Sequence, residues 1–221
     1  MEWWRHFVAA VLPYFSLAFF VAGLLYRVLY WSRAPKHLHW ELFPYPHTLG
    51  EQLKEMLTEV FTLKSLFLHN RRAWLPSLTM HWGIYLLVVW PFLVLAGLPL
   101  AAPAGKAGGV LALAGSLLLL CYRLARSEVR RLSAPVEYLN LLFIFALALS
   151  GLQSGFLGDA GAVRSYLLGL ARFTPEQPPA GYLAPVLLAE LFLIYVPLSR
   201  MAHFAAKFFT YHKVKWGELH R

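Results

Sequence analysis

The sequence predicts an all-α membrane protein with five transmembrane helices and one further amphipathic helix, and three observations support this fold class. Of the 221 residues, 59% are apolar or aromatic and 14% are charged, whereas soluble domains average about 45–50% and about 25%. The apolar residues are grouped in five long stretches. The 20 Lys and Arg residues outnumber the 11 Asp and Glu residues, and most of them lie beyond alternate ends of those stretches.

Five stretches have the length and composition of membrane spans, for which about 20 consecutive and mainly apolar residues are needed. They are residues 7–31, 77–98, 107–124, 138–157 and 183–205. Too little sequence remains outside these stretches for a separate globular domain. We therefore expect one membrane domain over residues 1–221.

The basic residues predict the orientation, because cytoplasmic loops of membrane proteins retain Lys and Arg. The connections after the first and third spans and the C-terminal tail are basic, and they lie on the same side of a five-span protein. The first connection contains Arg33, Lys36, Lys54, Lys64, Arg71 and Arg72, whereas the opposite side has only Arg5, Lys106, Arg164 and Arg172. We expect the N-terminus outside and the C-terminus in the cytoplasm. The net charge of +9 then marks a membrane face, and no nucleic-acid partner is expected.

The amphipathic helix is predicted over residues 49–69, between the first two spans. Thr48 and Glu51 have the spacing of a capping box, in which each side chain accepts a hydrogen bond from a backbone N–H group at the helix start. Apolar residues follow from Leu53 to Leu68, mostly at intervals of three and four. This pattern is typical of a helix lying along the cytoplasmic membrane surface. It fits equally a helix packed on a partner or on the end of the bundle.

His81 and His203 are the candidate ligands of a cofactor. The predicted orientation places His81 near the start of the second span and His203 near the end of the fifth. Both therefore lie at one depth, near the cytoplasmic surface. Neutral imidazole is a good axial ligand of haem iron, and facing helices of a bundle can hold a cofactor. A lone intramembrane histidine can instead bind a neighbouring helix by a hydrogen bond.

Two arginines at the same surface are candidate partners of haem propionates. Arg200 lies three positions before His203, on nearly the same helical face, and Arg123 ends the third span. Guanidinium groups bind carboxylates through two parallel hydrogen bonds. Both arginines equally suit the cytoplasmic boundary of a span. Gly83 and Gly97 offer room for a porphyrin, although glycine is common in membrane helices in any case.

Short segments in three spans carry a resemblance to a known family. The segment Leu12-Pro13-Tyr14-Phe15 and the apolar run after it resemble the first span of the cytochrome b subunit of respiratory nitrate reductase. The segment Pro197-Leu198-Ser199-Arg200-Met201-Ala202-His203 resembles the end of that family's fifth span, where the histidine ligates haem. His81, followed by Trp82 and Gly83, matches the position of the partner ligand.

The approach to His81 points to a related branch of the same superfamily. Residues 65–75 look more like the membrane cytochromes of dissimilatory sulfite-reduction and heterodisulfide-reductase-type complexes. The resemblance covers all five spans loosely, and its specific motifs lie in the first, second and fifth. It implies the superfamily and leaves the branch open.

The chain departs from the family at one of its two haem sites. The family generally holds two haems stacked across the membrane, and the outer ligands would fall ten residues after His81 and eighteen before His203. Those positions are Pro91 and Pro185. Eighteen residues correspond to five helical turns, which puts Pro185 on the His203 face. Because proline cannot ligate iron, the resemblance implies one haem b, on the cytoplasmic side, with His81 and His203 as axial ligands.

The resemblance implies an electron-transfer subunit in the cytoplasmic membrane of a prokaryote. Such a subunit exchanges electrons with membrane quinones and with an iron–sulfur subunit docked on the cytoplasmic face. The terminal reaction is then catalysed elsewhere in the complex. The single cysteine, Cys121, excludes a cysteine-ligated cluster within this chain. Any iron–sulfur cluster is therefore expected in a partner.

Two other functions are open from the sequence alone. A haemless anchor that only ties a partner enzyme to the membrane needs the same basic surface and amphipathic helix. A small transporter would use Glu190 within the fifth span, although the sequence has no internal repeat of the kind common in transporters. Ionisable groups inside spans are costly and usually functional. Glu190 is therefore either a proton carrier or a carboxyl paired with another helix or subunit.

Overall fold

The computed structural model describes residues 2–33 and 48–205. All regular structure in these two ranges is helical. Lys36 and the basic residues of the tail, which entered the orientation argument, lie outside them. The helices are α1 (Glu2–Ser32), α2 (Leu49–Thr62), α3 (Lys64–His69), α4 (Arg71–Leu95), α5 (Ala101–Ala125), α6 (Ser127–Leu132), α7 (Pro135–Gln153), α8 (Ala160–Ala171) and α9 (Leu183–Leu198).

Five of these helices are long and apolar enough to cross a membrane, as predicted. They are α1, α4, α5, α7 and the last segment, Ala180–Leu198, which adds a short 3-10 turn before α9. Helix α1 contains a π-helical turn at Phe7–Val11. The chain therefore has the architecture of a multi-pass membrane protein.

Two helix boundaries differ from the prediction in ways that matter for the site. The fifth span was expected to reach residue 205, but α9 ends at Leu198 because the backbone is extended at Ser199 (φ −111°, ψ 178°). Helix α8 was not predicted at all. It begins where the Asp159 side chain accepts a hydrogen bond from the Ala162 N–H group at 3.0 Å. The remaining span ends shift by a few residues.

The spans pack side by side in the order α4, α5, α7, α9 and α1. The contact between α4 and α5 is the most extensive and depends on glycine. A Cβ atom at Gly83 would overlap the backbone of Ala112, and one at Gly115 would overlap the backbone of Met80. Small residues of this kind let membrane helices approach closely. The space beside Gly83 is thus occupied by the backbone of α5, so this glycine makes no room for a porphyrin.

Gly97 has a different role from the one expected. Its φ of +68° lies in the left-handed region that glycine adopts without strain. It follows the C-terminal end of α4 and lies beside the Arg164 side chain. Gly97 therefore lies where the chain turns between α4 and α5, at the far end of α4 from His81.

Helices α1 and α9 run parallel to each other. Near their starts, Val8 and Ala9 share an apolar cluster with Val186. Near their ends, Gly23 faces Pro197, and the Arg27 Nε atom donates a hydrogen bond to the Pro197 carbonyl at 2.9 Å. The first and last spans therefore start at the same end of the bundle, as an odd number of spans requires.

The predicted amphipathic segment forms two helices instead of one. The capping box of Thr48 and Glu51 is present, with both hydrogen bonds at 3.2 Å. The helix then breaks at Leu63, which adopts a left-handed conformation (φ 51°). The buried Glu59 carboxylate accepts hydrogen bonds from the N–H and hydroxyl groups of Ser65, both at 2.9 Å. This carboxylate holds α3 against the end of α2.

The C-terminal end of α2 is bound to the flank of α4. Three ring donors of α4 reach three consecutive carbonyl groups in the last turn of α2, which have no partner within the helix. The bonds are Trp74 Nε1 to Thr62 at 2.7 Å, Trp82 Nε1 to Phe61 at 3.2 Å and the Tyr85 hydroxyl to Val60 at 2.8 Å.

Candidate functional site

The structure brings His81 and His203 together at one end of the bundle. His81 lies on α4 and His203 follows α9, yet their ring centres are only 6.5 Å apart. The shared depth that the sequence predicts is therefore present in the fold. We call this end of the bundle the histidine end. The opposite end, where Pro91 and Pro185 lie, is called the proline end.

The break after α9 determines the position of His203. The Ser199 hydroxyl accepts a hydrogen bond from the Met201 N–H group at 3.1 Å and caps a 3-10 turn at Arg200–Ala202. Met201 packs against a core cluster of α4, α5 and α7 that includes Met80, the neighbour of His81. Because the helix is interrupted at Ser199, the spacing of eighteen residues does not place Pro185 and His203 on one face.

The spacing of the two rings suits two ligands of one metal atom. Metal–imidazole bonds are about 2 Å long, so imidazoles on opposite sides of a metal have ring centres about 6 Å apart. The observed separation is 6.5 Å. Helices α4 and α9 are separated by α5 and α7 in the packing order, so the two histidines meet without extensive contact between their helices.

Both rings are oriented by their Nδ1 atoms. Nδ1 of His81 lies 2.7 Å from the Ser77 carbonyl oxygen, and Nδ1 of His203 lies 3.1 Å from that of Arg200. A carbonyl only accepts, so in a neutral ring Nδ1 carries the proton and Nε2 has the lone pair that a metal requires. A second hydrogen bond to a backbone carbonyl is typical of metal-ligating histidines. Both residues therefore fit the role of axial ligands.

The two predicted arginines converge on Glu137 of α7, which the sequence analysis did not single out. Arg123 Nη1 donates to Glu137 Oε2 at 2.8 Å and to the Ser133 hydroxyl at 2.6 Å. Arg200 Nη1 lies 3.9 Å from Glu137 Oε1. A signal was available, because Glu137 is an acidic residue directly before a predicted span and near three arginines in the sequence.

The two arginines beside Glu137 can bind a further acidic group. The Arg123 Nε atom is buried and has no hydrogen-bond partner among the described residues. The Arg200 side chain is 75% exposed, so its guanidinium is open to other partners. One carboxylate is thus shared by two guanidinium groups, and the cluster of Arg123, Arg200 and Glu137 carries a net positive charge.

The described part of the chain contains no group of three or more His, Cys, Asp or Glu side chains that could hold a metal ion. A haem needs only its two axial ligands from the protein, so the histidine pair is sufficient for that cofactor. Cys121 is exposed on α5. At the proline end, Pro91 lies within α4 and Pro185 is buried at the start of α9.

Glu190 lies at the middle of α9, because the helix ends at Leu198 instead of continuing to residue 205. In the predicted span of residues 183–205 it would lie nearer the outer surface. Its side chain is 4% exposed. Neither carboxyl oxygen has a hydrogen-bond partner among the described residues.

Comparisons with known proteins give two relatives and no matching family model. A protein of Archaeoglobus fulgidus named "Hdr-like menaquinol oxidoreductase cytochrome b-like subunit" is 24% identical over 254 aligned positions, which cover 90% of this chain and 76% of the relative. A protein of the same name from Archaeoglobus profundus is 22% identical over 260 positions, with 92% and 77% covered. Both relatives favour the heterodisulfide-reductase-type branch over nitrate reductase. The chain is a multi-pass membrane protein similar to these cytochrome b-like subunits.

Proposed function

We propose that this chain is the haem b membrane subunit of a quinone-linked oxidoreductase complex. It passes electrons between the membrane quinone pool and an iron–sulfur subunit on the cytoplasmic face. The observation that carries the proposal is the pair His81 and His203, whose rings approach to 6.5 Å with both Nδ1 atoms on backbone carbonyls. The names of the two relatives, which specify a menaquinol oxidoreductase and a cytochrome b-like subunit, support the same function.

Different residues of the histidine end would bind different parts of the cofactor. His81 and His203 would hold the iron through their Nε2 atoms. Arg123 and Arg200 would neutralise the propionates, while Glu137 fixes both guanidinium groups in place. The bound haem supplies one-electron redox chemistry. The protein holds and orients that group, and an apolar cluster around Met80 and Met201 lies beside the histidine pair.

The proposal also includes the orientation of the bundle in the membrane and the position of α2. The basic connections predict that the histidine end faces the cytoplasm. Leu53, Leu57 and Phe61 of α2 are 45%, 49% and 43% exposed, which leaves an apolar row at helical spacing. We place this row in the cytoplasmic interface of the bilayer, with the end of α2 fixed on α4 by the three ring donors.

The iron–sulfur partner is inferred from the cysteine content of this chain. With a single cysteine, it cannot bind a cysteine-ligated iron–sulfur cluster of its own. An electron acceptor or donor beyond the haem therefore belongs to another subunit. A basic cytoplasmic face suits an acidic docking surface on that partner.

Haem content tests the proposal. The protein is purified with the subunits it assembles with, from haem-replete cells, and pyridine haemochrome spectra give the haem b per chain. We expect one haem, and its complete loss in both His81→Ala and His203→Ala. His69→Ala is the matched control, because its Nδ1 also lies 2.7 Å from a backbone carbonyl, that of Ser65, outside the pair.

Other outcomes have defined meanings. A haem-free preparation would contradict the proposal and favour the haemless anchor. Two haems per chain would contradict the interpretation of Pro91 and Pro185. Haem that persists in one of the two histidine variants would remove that residue from the ligand set.

A further inference from the structure

Glu190 lies on the face of α9 that packs against α1. Val186, Glu190 and Pro197 follow each other at intervals of four and seven residues, which places them on one side of the helix. Val186 contacts the start of α1, and Pro197 contacts Gly23 near its end. The carboxyl group is therefore enclosed between the first and last spans, at mid-membrane depth.

The structure excludes one of the two interpretations of this residue, pairing with another subunit. Both carboxyl oxygens are buried within this chain's own bundle, so a neighbouring polypeptide cannot reach them without moving α1 or α9. No Lys, Arg or His in the described ranges lies within 4.0 Å of the carboxylate. An intramolecular ion pair with those residues is thereby excluded as well.

Few polar groups face Glu190 from the surrounding helices. On α1, the fully buried Ser16 lies midway between Ala9 and Gly23, on the face toward α9, and its hydroxyl donates to the Pro13 carbonyl. On α8, the Tyr166 hydroxyl donates to the Ala9 carbonyl at 2.9 Å.

The titratable group beside the carboxyl on α8 is the phenol of Tyr166, whose pKa burial raises. Tyr14, on α1, donates its hydroxyl to the Leu170 carbonyl at 2.9 Å. A phenol has no cationic form under these conditions, so neither tyrosine supplies a positive charge that would stabilise an ionised Glu190.

A lone ionised carboxylate in such surroundings is so costly that it binds a proton instead. From this enclosure we propose that Glu190 is a proton site, neutral at rest, that relays one proton during quinol oxidation. This inference rests on the quinone-linked function proposed above. Oxidation of one quinol releases two electrons, which pass to the haem one at a time, and two protons. Glu190 takes up one of these protons as its own leaves, so the carboxyl is neutral before and after the step.

The polar groups indicate the direction of release. Glu190 lies seven residues from the start of α9, about 10 Å from the proline end. The Tyr166 hydroxyl and the Ala9 carbonyl lie on that side of it, and Ala9 belongs to the π-helical turn of α1. Turns of this kind occur frequently at functional sites.

Infrared difference spectroscopy tests the resting state. The carbonyl stretch of a protonated carboxylic acid is distinct from the bands of a carboxylate and shifts in D₂O. Because the carboxyl is neutral before and after the step, we expect this band in spectra of the purified complex at rest, and its loss in Glu190→Gln. Glu176→Gln, the same chemical change at an exposed position, should leave it unchanged. A band that persists in Glu190→Gln would overturn the proposal.

The rate of menaquinol oxidation distinguishes a proton relay from a carboxylic acid that has only a structural role. Menaquinol oxidation by the purified complex should fall at least tenfold in Glu190→Gln, partly recover in Glu190→Asp, and remain normal in Glu176→Gln. Haem content is measured in the same samples and should be unchanged. Normal turnover in Glu190→Gln would overturn the relay. A haem-free wild-type protein would instead overturn the proposed function, while the infrared band would still report on the proton.

Discussion

The two ends of the bundle bring different side chains together: histidines, arginines and a glutamate at the histidine end, and at the proline end an apolar cluster beside the hydrogen bond of Tyr182 to Asp159. His81 approaches His203, and Arg123 binds Glu137. At the proline end, an apolar cluster that includes Trp90 occupies the space between α4, α5 and α8. A Cβ atom at Gly105 would overlap the carbonyl of Leu157 and contact the Trp90 ring. The two ends therefore differ in the side chains they bring together, with two histidines at one end and an apolar cluster with two prolines at the other.

The comparison indicates how a membrane bundle can confine a cofactor to one side. Replacing two ligands by proline removes coordination, but tight packing also removes the volume that a porphyrin would occupy. Under the proposed function, the proline end combines Pro91 and Pro185 at the outer ligand positions with apolar packing. Three substitutions test whether the ends differ in the way the structure indicates.

Gly83→Leu should have the largest effect, because its side chain would overlap the α5 backbone one turn from Met80. Overpacking of this kind costs about 1–3 kcal/mol or more, and the shift of α4 displaces His81. We expect a lower thermal unfolding temperature and loss of most haem, measured on the purified protein. Gly181→Leu is the control, since a Cβ atom there meets no atom within 4 Å. Equal behaviour of the two variants would show that the close contact of α4 and α5 does not position the histidine.

Glu137→Gln should have an intermediate effect. It removes the charge-assisted hydrogen bond to Arg123, at a cost of about 1–3 kcal/mol, which thermal unfolding would detect. It also removes a negative charge from the histidine end, which favours the reduced haem. We therefore expect a more positive midpoint potential in a redox titration. Glu128→Gln, at an exposed position of α6, should change neither value, and a more negative potential in Glu137→Gln would contradict the placement of this cluster beside the haem.

The double variant Pro91→His and Pro185→His should have the smallest effect on haem content. It restores imidazole at both family positions, but Pro185 is less than 2% exposed and the Trp90 cluster remains in place. We expect one haem per chain by the pyridine haemochrome assay, as in the unmodified protein. Two haems would mean that only the ligands, and not the space, distinguish the two ends.

The sequence predicted the five spans, because length and apolar content are local signals. The charge asymmetry led to the expectation that His81 and His203 share one depth, and their rings do lie close together, while their role as ligands stays a prediction. It did not predict the break at Ser199, although a serine two residues after Pro197 can cap a new turn, as it does here. Helix α8 was missed for a similar reason. Its start depends on the side chain of Asp159, which also accepts a hydrogen bond from the Tyr182 hydroxyl at 2.7 Å, and such a contact across the fold has no local signature.

The position of Glu137 before a span was a signal in the sequence, but its contacts with Arg123 and Arg200 were not. Arg123 and Arg200 each suit a propionate, and nothing in the order of residues shows that a carboxylate of α7 lies between them. The same holds for Gly83, whose role depends on the distance between α4 and α5. Contacts between helices decide these roles, whereas periodicity describes single helices.

The parallel packing of α1 and α9 has a consequence for how the protein is made. Among the described helices, α9 is the partner against which α1 packs most extensively. Among the described spans α1 is synthesised first and α9 last, so α1 lies among lipids until the other four have been inserted. A ribosome that stalls before α9 would leave α1 without its partner and His81 without His203. Completion of the last span is thus the step at which both the bundle and the histidine pair become complete.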